Sequence, residues 1–216
     1  MNKEWSEQNK EMQQLLKRET FSEGITALMK LRQSLTDEVL SWKNTLSEED
    51  FSAIPFINAQ GYHSKTIAYS LWHIFRIEDI VVNTLIRNEE QILFQNDNLK
   101  QTNSSIITTG NELEKQEIAY FSKGLDIDGL YGYILDVKSS TERWLDTLEY
   151  SELKRKFDDT HKERLISTNT VSTDPSANWL IDYWCGKDIK GLIKMPLSRH
   201  WIMHIEAAIR IMNKLK

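Results

Sequence analysis

Residues 198–207 read SRHWIMHIEA and place two imidazoles, His200 and His204, four positions apart near the end of the chain. On an α-helix, positions i and i+4 share a face. With His200 at zero on a helical wheel, His204 falls at ~40°, Ile211 at ~20°, Leu197 and Leu215 at ~60°, Ala208 at ~80° and Trp201 at ~100°. Arg199, Glu206, Arg210 and Lys214 collect between ~240° and ~320°. Both histidines therefore fall inside the apolar arc. Buried imidazole nitrogens need partners. Two arrangements supply them: hydrogen bonds to Ser, Tyr or Trp, or one metal ion shared by both rings.

A third imidazole has the same placement on a different segment. In YHSKTIAYSLWHIFRIEDIVVNTL, residues 62–85, His73 lies on a face with Ile77 and Thr84 at ~20° to ~40° and Ile74 and Val81 at ~80° to ~100°, while Arg76, Asp79 and Asn83 occupy ~240° to ~300°. Three of the five histidines thus face inward from two helices. Three neutral nitrogens on one divalent ion leave a coordination position open, the pattern of a catalytic ion. Zn²⁺ or Ni²⁺ held this way keeps its full charge. It would lower the pKa of bound water to ~7, or deprotonate a bound thiol to the nucleophilic thiolate. Hydroxide attack on an amide or ester and thiolate attack on an electrophile are both open to such a site.

Other candidates carry weaker signals. Glu78, at ~140° from His73, is a possible hydrogen-bond partner for a ligating histidine. Beside Arg76 it reads equally well as a surface carboxylate. Arg76 and Arg199 could hold a carboxylate at the mouth of the site, although both point outward on their wheels. Cys185 follows the aromatic stretch WLIDYW, a setting that favours a packed, inert thiol. Trp72, Trp179, Trp184 and Trp201 could line a pocket over the ion, with core packing the simpler role for most. His63 reads as a cap or surface residue at the start of the second helix, and His161 as a solvated one.

The elements that must position these groups are helical. The chain has 216 residues, 8 Gly and 3 Pro, with 40% apolar and 27% charged residues. Long stretches of Leu, Ile, Glu and Lys with few breakers indicate an all-α protein. Its length fits a single domain, residues 1–216, with a short helical extension at about 1–20. Four long helices are expected, from about Ser22 to Leu46, from His63 or Ser64 to about Gln91, from Asp126 or Asp128 to about Glu149, and from Pro196 to the end. Pro55 bars continuation of the first. Two long crossings separate the later helices, which implies a four-helix bundle. The first crossing includes a short helix within TTGNELEKQEIAYFSKGL. The second includes the turn-prone STNTVSTDPSAN and a Trp-rich helix in 176–195. Either is long enough to form a lid or wall.

SLWHIFRIED on the second helix together with MPLSRHWIMHIEAAIR on the fourth resembles the DinB-like (YfiT-like) superfamily. The resemblance implies a four-helix bundle that holds a divalent metal on one His of helix two and an HxxxH pair of helix four. Carried onto this chain, the ligands are His73, His200 and His204. It further implies a transferase that joins a low-molecular-weight thiol, such as bacillithiol, mycothiol or glutathione, to an electrophile, or uses the thiol to isomerise one. Homodimers are common in this family. A metal-dependent hydrolase and a non-catalytic, stress-related binding protein are the alternatives.

The net charge of −5 argues against a non-specific nucleic-acid partner. A single cysteine fits a reducing compartment. The charged N-terminal residues carry no apolar leader, and no run approaches the ~18 apolar residues of a membrane span. A cytoplasmic protein acting on a small molecule is expected.

Overall fold

A computed structural model describes residues 2–216. In chain order the α-helices are α1 (Lys3–Leu15), α2 (Phe21–Lys43), α3 (Glu48–Ser52), α4 (Ile67–Asp79), α5 (Asn98–Gln101), α6 (Gln116–Gly124), α7 (Ile127–Thr147), α8 (Asp159–Ser167), α9 (Pro175–Cys185), α10 (Ile189–Lys194) and α11 (His200–Leu215). No strand occurs among the described residues. α4 packs against α7 and α11, and α2 packs against α1, α7 and α11. No described helix is long and apolar enough to cross a membrane.

The four expected long helices are present, with shifted ends. α4 begins at Ile67 rather than at His63 or Ser64, because the Thr66 hydroxyl caps it by accepting from the Tyr69 amide at 3.0 Å. Asp126 caps α7, its carboxylate accepting from the Gly129 amide at 2.8 Å. Beyond Asp79 the second helix widens into a π-helix, Ile80–Ile86, and stops short of Gln91. The last helix is also entered through a π turn, Met195–Arg199, in which the His200 amide donates to the Met195 carbonyl. Pro196 lies inside that turn. Having no N–H, it cannot continue the α pattern inherited from α10, and a wider turn absorbs the mismatch.

The main departure from the sequence reading concerns the far side of α4. Arg76, Asp79 and Asn83 were expected to face outward, yet every residue from Ile67 to Ile86 is buried. The segment after the π-helix folds back over that face. Asp79 accepts from the Ile92 and Leu93 amides at 2.8 and 3.0 Å and from the Tyr133 hydroxyl at 2.8 Å. Arg76 donates to Asp79 at 2.9 Å, to Gln91 at 2.7 Å and to the Ile107 carbonyl at 2.7 Å. A charged arc can be buried when each charge finds a partner.

A second buried ion pair ties α2 to α4 and α11. The Arg32 guanidinium grips Glu78 with two bonds, 2.7 and 2.9 Å, and lies 4.4 Å from the Trp201 ring centroid. The Trp201 indole N–H donates to the same carboxylate at 2.9 Å. Glu78→Gln should therefore cost on the order of 3 kcal/mol, because it removes the carboxylate that grips the buried Arg32 with two bonds and leaves only Glu142, 3.7 Å from its Nε. Urea denaturation would measure this, and a change below ~1 kcal/mol would show that the pair does not brace the fold.

Candidate metal centre

α4 and α11 lie against each other and bring the three inward histidines together. Ring centroids are 5.1 Å apart for His73 and His200, 4.7 Å for His73 and His204, and 4.5 Å for His200 and His204. One nitrogen from each ring lies within 4.8 Å of the other two, and all three side chains are buried. Two nitrogens sharing one ion at ~2.1 Å can be at most ~4.2 Å apart. The observed spacing therefore needs at most a small rotation of the rings.

Hydrogen bonding sorts the nitrogens. His73 Nδ1 lies 2.8 Å from the Thr109 carbonyl, which can only accept, so Nδ1 carries the proton and Nε2 keeps its lone pair. His200 Nδ1 and both His204 nitrogens are buried without any hydrogen-bond partner. Three orphaned imidazole nitrogens in one cluster are costly unless something binds them. A neutral, three-nitrogen donor set fits a divalent transition ion such as zinc or nickel. The alternative of hydrogen bonds to Ser, Tyr or Trp is not realised at His200 Nδ1 or on His204.

The carbonyl that orients His73 is itself held in register. Tyr69, Trp72, His73 and Arg76 fall on one face of α4 at i, i+3, i+4 and i+7. They donate to the four successive carbonyls of residues 107–110: Tyr69 to Gly110 at 3.0 Å, Trp72 to Thr108 at 3.0 Å, His73 to Thr109, and Arg76 to Ile107. Gly110 permits this close approach. Its φ is +78°, and a Cβ there would stand 3.0 Å from the Tyr69 ring.

A cavity of about 390 Å³ opens onto His73 and His204. Its walls come from the loop 57–65, the loop 111–115 and the first turn of α4. Tyr69 stacks on His73 at 5.6 Å and 10°, and Tyr62 meets His204 edge-on at 4.7 Å. Arg210, on the charged face of α11, donates to His63 Nε2 at 3.1 Å and fastens the 61–63 turn beside the site. His63 thus takes the surface role of the two expected for it, bonded to α11, and does not cap the second helix.

Several other expectations change. Glu78 does not orient a histidine, because Arg32 and Trp201 take its oxygens. Arg76 does not reach the mouth, being buried in its ion pair. Arg199 is exposed and lines no wall of the cavity. For most of the tryptophans the simpler of the two expected roles, core packing, holds. Trp72, Trp184 and Trp201 are core residues, while Trp179 is half exposed. Trp184 in α9 joins a separate apolar cluster around Ile77–Ile86, so the Trp-rich crossing braces the opposite stretch of the long helix. Cys185 is a half-buried free thiol, and burial raises its pKa, as expected for an inert cysteine. His161 caps α8 with Asp158 at 2.5 Å rather than standing free in solvent. Sequence reasoning missed Tyr62, Lys65, Tyr69, Thr109 and Asn111. Only Tyr69 carried a signal, its four-residue spacing from His73.

No family model matches this chain, and no curated protein matches it.

Burial pushes the His73 pKa down to about 4, against the opposing bond to the Thr109 carbonyl. It also holds His200 and His204 well below the usual histidine value, with repulsion from their neighbours adding to the effect. An unfolded chain protonates histidine near ~6.5. The His73 contribution to stability is therefore complete above pH ~6.5 and falls as pH drops. It levels off below about 4, after a loss of roughly 3 kcal/mol. Metal-free protein should lose stability through that window in urea titrations at stepped pH. His73→Gln should make the profile shallower, while His200 and His204 keep their share of the slope.

Proposed function

We propose that this chain is a DinB-like four-helix-bundle protein. In this reading it binds one divalent ion, zinc or nickel, through His73, His200 and His204. It then uses the site as a transferase that activates a low-molecular-weight thiol, such as bacillithiol or glutathione, for attack on an electrophile. Support for the bundle comes from α2, α4, α7 and α11, which contact one another and are joined in part by two long connections. The single observation that carries the functional reading is the cavity meeting His73 and His204. An ion with only a structural role needs no such access, whereas an exchangeable position does. The volume falls in the range of small-molecule sites, roughly 300–1,000 Å³.

When bound, the ion supplies a Lewis-acidic charge that favours the thiolate over the thiol. The chain supplies the rest. His73 is locked in one tautomer by Thr109, so its lone pair faces the cluster without reorientation. Tyr62 and Tyr69 flank the imidazoles on two sides. In the transfer, the thiol proton leaves through the open mouth to solvent. Sulfur forms a bond to the electrophilic carbon, and the leaving group departs with its bonding pair. The arrangement favours thiol transfer through the softness of sulfur toward zinc or nickel.

Protein prepared without a histidine tag should contain about one divalent ion per chain by elemental analysis. It should also accelerate conjugation of 1-chloro-2,4-dinitrobenzene to bacillithiol or glutathione. Chelator should abolish the rate and the matching metal should restore it. His204→Ala should lower both metal content and rate by more than ~100-fold. Folded protein that takes up no ion would sink the proposal. Metal-dependent ester cleavage without thiol dependence would replace it with a hydrolase.

A further inference from the structure

The cavity has a cationic wall that the histidine cluster does not explain. Lys65, just before α4, is partly buried, and its ammonium lies 4.8 Å from the Tyr69 ring centroid. Tyr69 in turn stacks on His73. Among the described residues, no carboxylate lies within 4.0 Å of that ammonium. Burial lowers the Lys65 pKa, and Glu114 only partly opposes this from the 111–115 wall. Glu114 itself is exposed.

A second donor lines the same space. Asn111 accepts through Oδ1 from the Thr109 hydroxyl at 2.8 Å, so its amide N–H₂ is the free end. Lys115, also in the wall, sits at the N-cap of α6 with φ 45° and ψ −114°, a strained conformation of the kind found at ligand clamps. The cavity therefore offers an ammonium without an ion-pair partner and a free amide in the wall that also exposes the neutral imidazoles of His73 and His204. A lysine is a point charge with rotatable donors and lacks the fixed fork of arginine. With one amide beside it, this suits the two oxygens of a carboxylate.

We propose that Lys65 and Asn111 form a carboxylate subsite, so that the small molecule bound here carries a carboxylate at one end and its thiol at the other, directed to His73 and His204. This inference rests on the proposed thiol chemistry and names the class of thiol, one bearing an acid group. Lys65 is a binding residue that selects the ligand. A thiol ending in a neutral alcohol fills the same space without the ionic contact.

The test is calorimetric titration of the zinc-loaded full chain with straight-chain mercaptocarboxylates of three to six carbons, each paired with the mercaptoalcohol of equal length. The best acid should bind about tenfold tighter than its alcohol. Lys65→Met keeps the apolar stem and removes the charge. It should bring that ratio to about one while leaving alcohol affinity and zinc content unchanged. Lys65→Arg should keep a preference for the acid. Asn111→Leu should lower the ratio with Lys65 in place, and decides the matter if Lys65→Met does not fold. Equal affinities in the unmodified chain, or a preference that survives both Lys65→Met and Asn111→Leu, would overturn the subsite. The zinc-free protein separates this from the thiol reading. Acids that bind equally well with and without zinc, in a Lys65-dependent way, would keep the carboxylate contact and remove the thiol reading. Absence of binding by every thiol would remove both.

Discussion

The long second helix is buried on every side while carrying Tyr69, Trp72, His73, Arg76, Glu78, Asp79 and Asn83. Each polar atom taken out of water must find a partner, at a cost of about 1–3 kcal/mol if it does not. That constraint shapes what surrounds the helix. The Ile92 and Leu93 amides come to Asp79, the 107–110 carbonyls come to the Tyr69–Arg76 face, and Arg32 comes to Glu78. Satisfying the helix fixes the path of the first long connection, and that connection then forms a wall of the cavity.

The histidine cluster departs from this satisfaction more densely than any other place, with three partnerless nitrogens on two adjacent rings, whereas the other partnerless buried atoms are scattered one to a residue. His73 has one nitrogen spoken for and the other turned inward, while His200 Nδ1 and both nitrogens of His204 have no partner. Nearby, the protein supplied partners for an arginine, two carboxylates and an indole. Burial keeps the rings neutral, which is the form that binds a metal ion. Neutral donors also leave the charge of an ion undiminished. The wall of the same cavity carries Lys65 and Lys115 along with Glu114.

Support is divided along the helix. Its first half, residues 67–75, packs with Trp201, Ile202, Ile205 and Ala208 from α11 and carries the site. Its second half, from Ile77 onward, packs with Trp144, Leu165, Leu180 and Trp184. The Trp-rich connection thus braces the helix without approaching the imidazoles. Both His-bearing helices also adjoin π turns, at Ile80–Ile86 and Met195–Arg199. Such turns rotate the following residues relative to an unbroken α-helix.

The sequence by itself determined the helical character, the four long segments to within a few residues at most ends, and the inward direction of His73, His200 and His204, whereas the packing of α4 on α11 decided that the three rings meet. These are periodic properties. An imidazole inside an apolar arc must face inward whichever neighbour covers it. Tertiary structure alone decided the fate of Arg76, Asp79 and Glu78, because a polar arc looks the same on a wheel whether it meets water or a partner from residues distant in the chain. It also decided the cavity. Tyr62, Lys65, Thr109 and Asn111 lie in loops or at their edges, where no periodicity exists to announce a direction. They reach the histidines only because the carbonyls of 107–110 are anchored to α4 and His63 is bonded to Arg210.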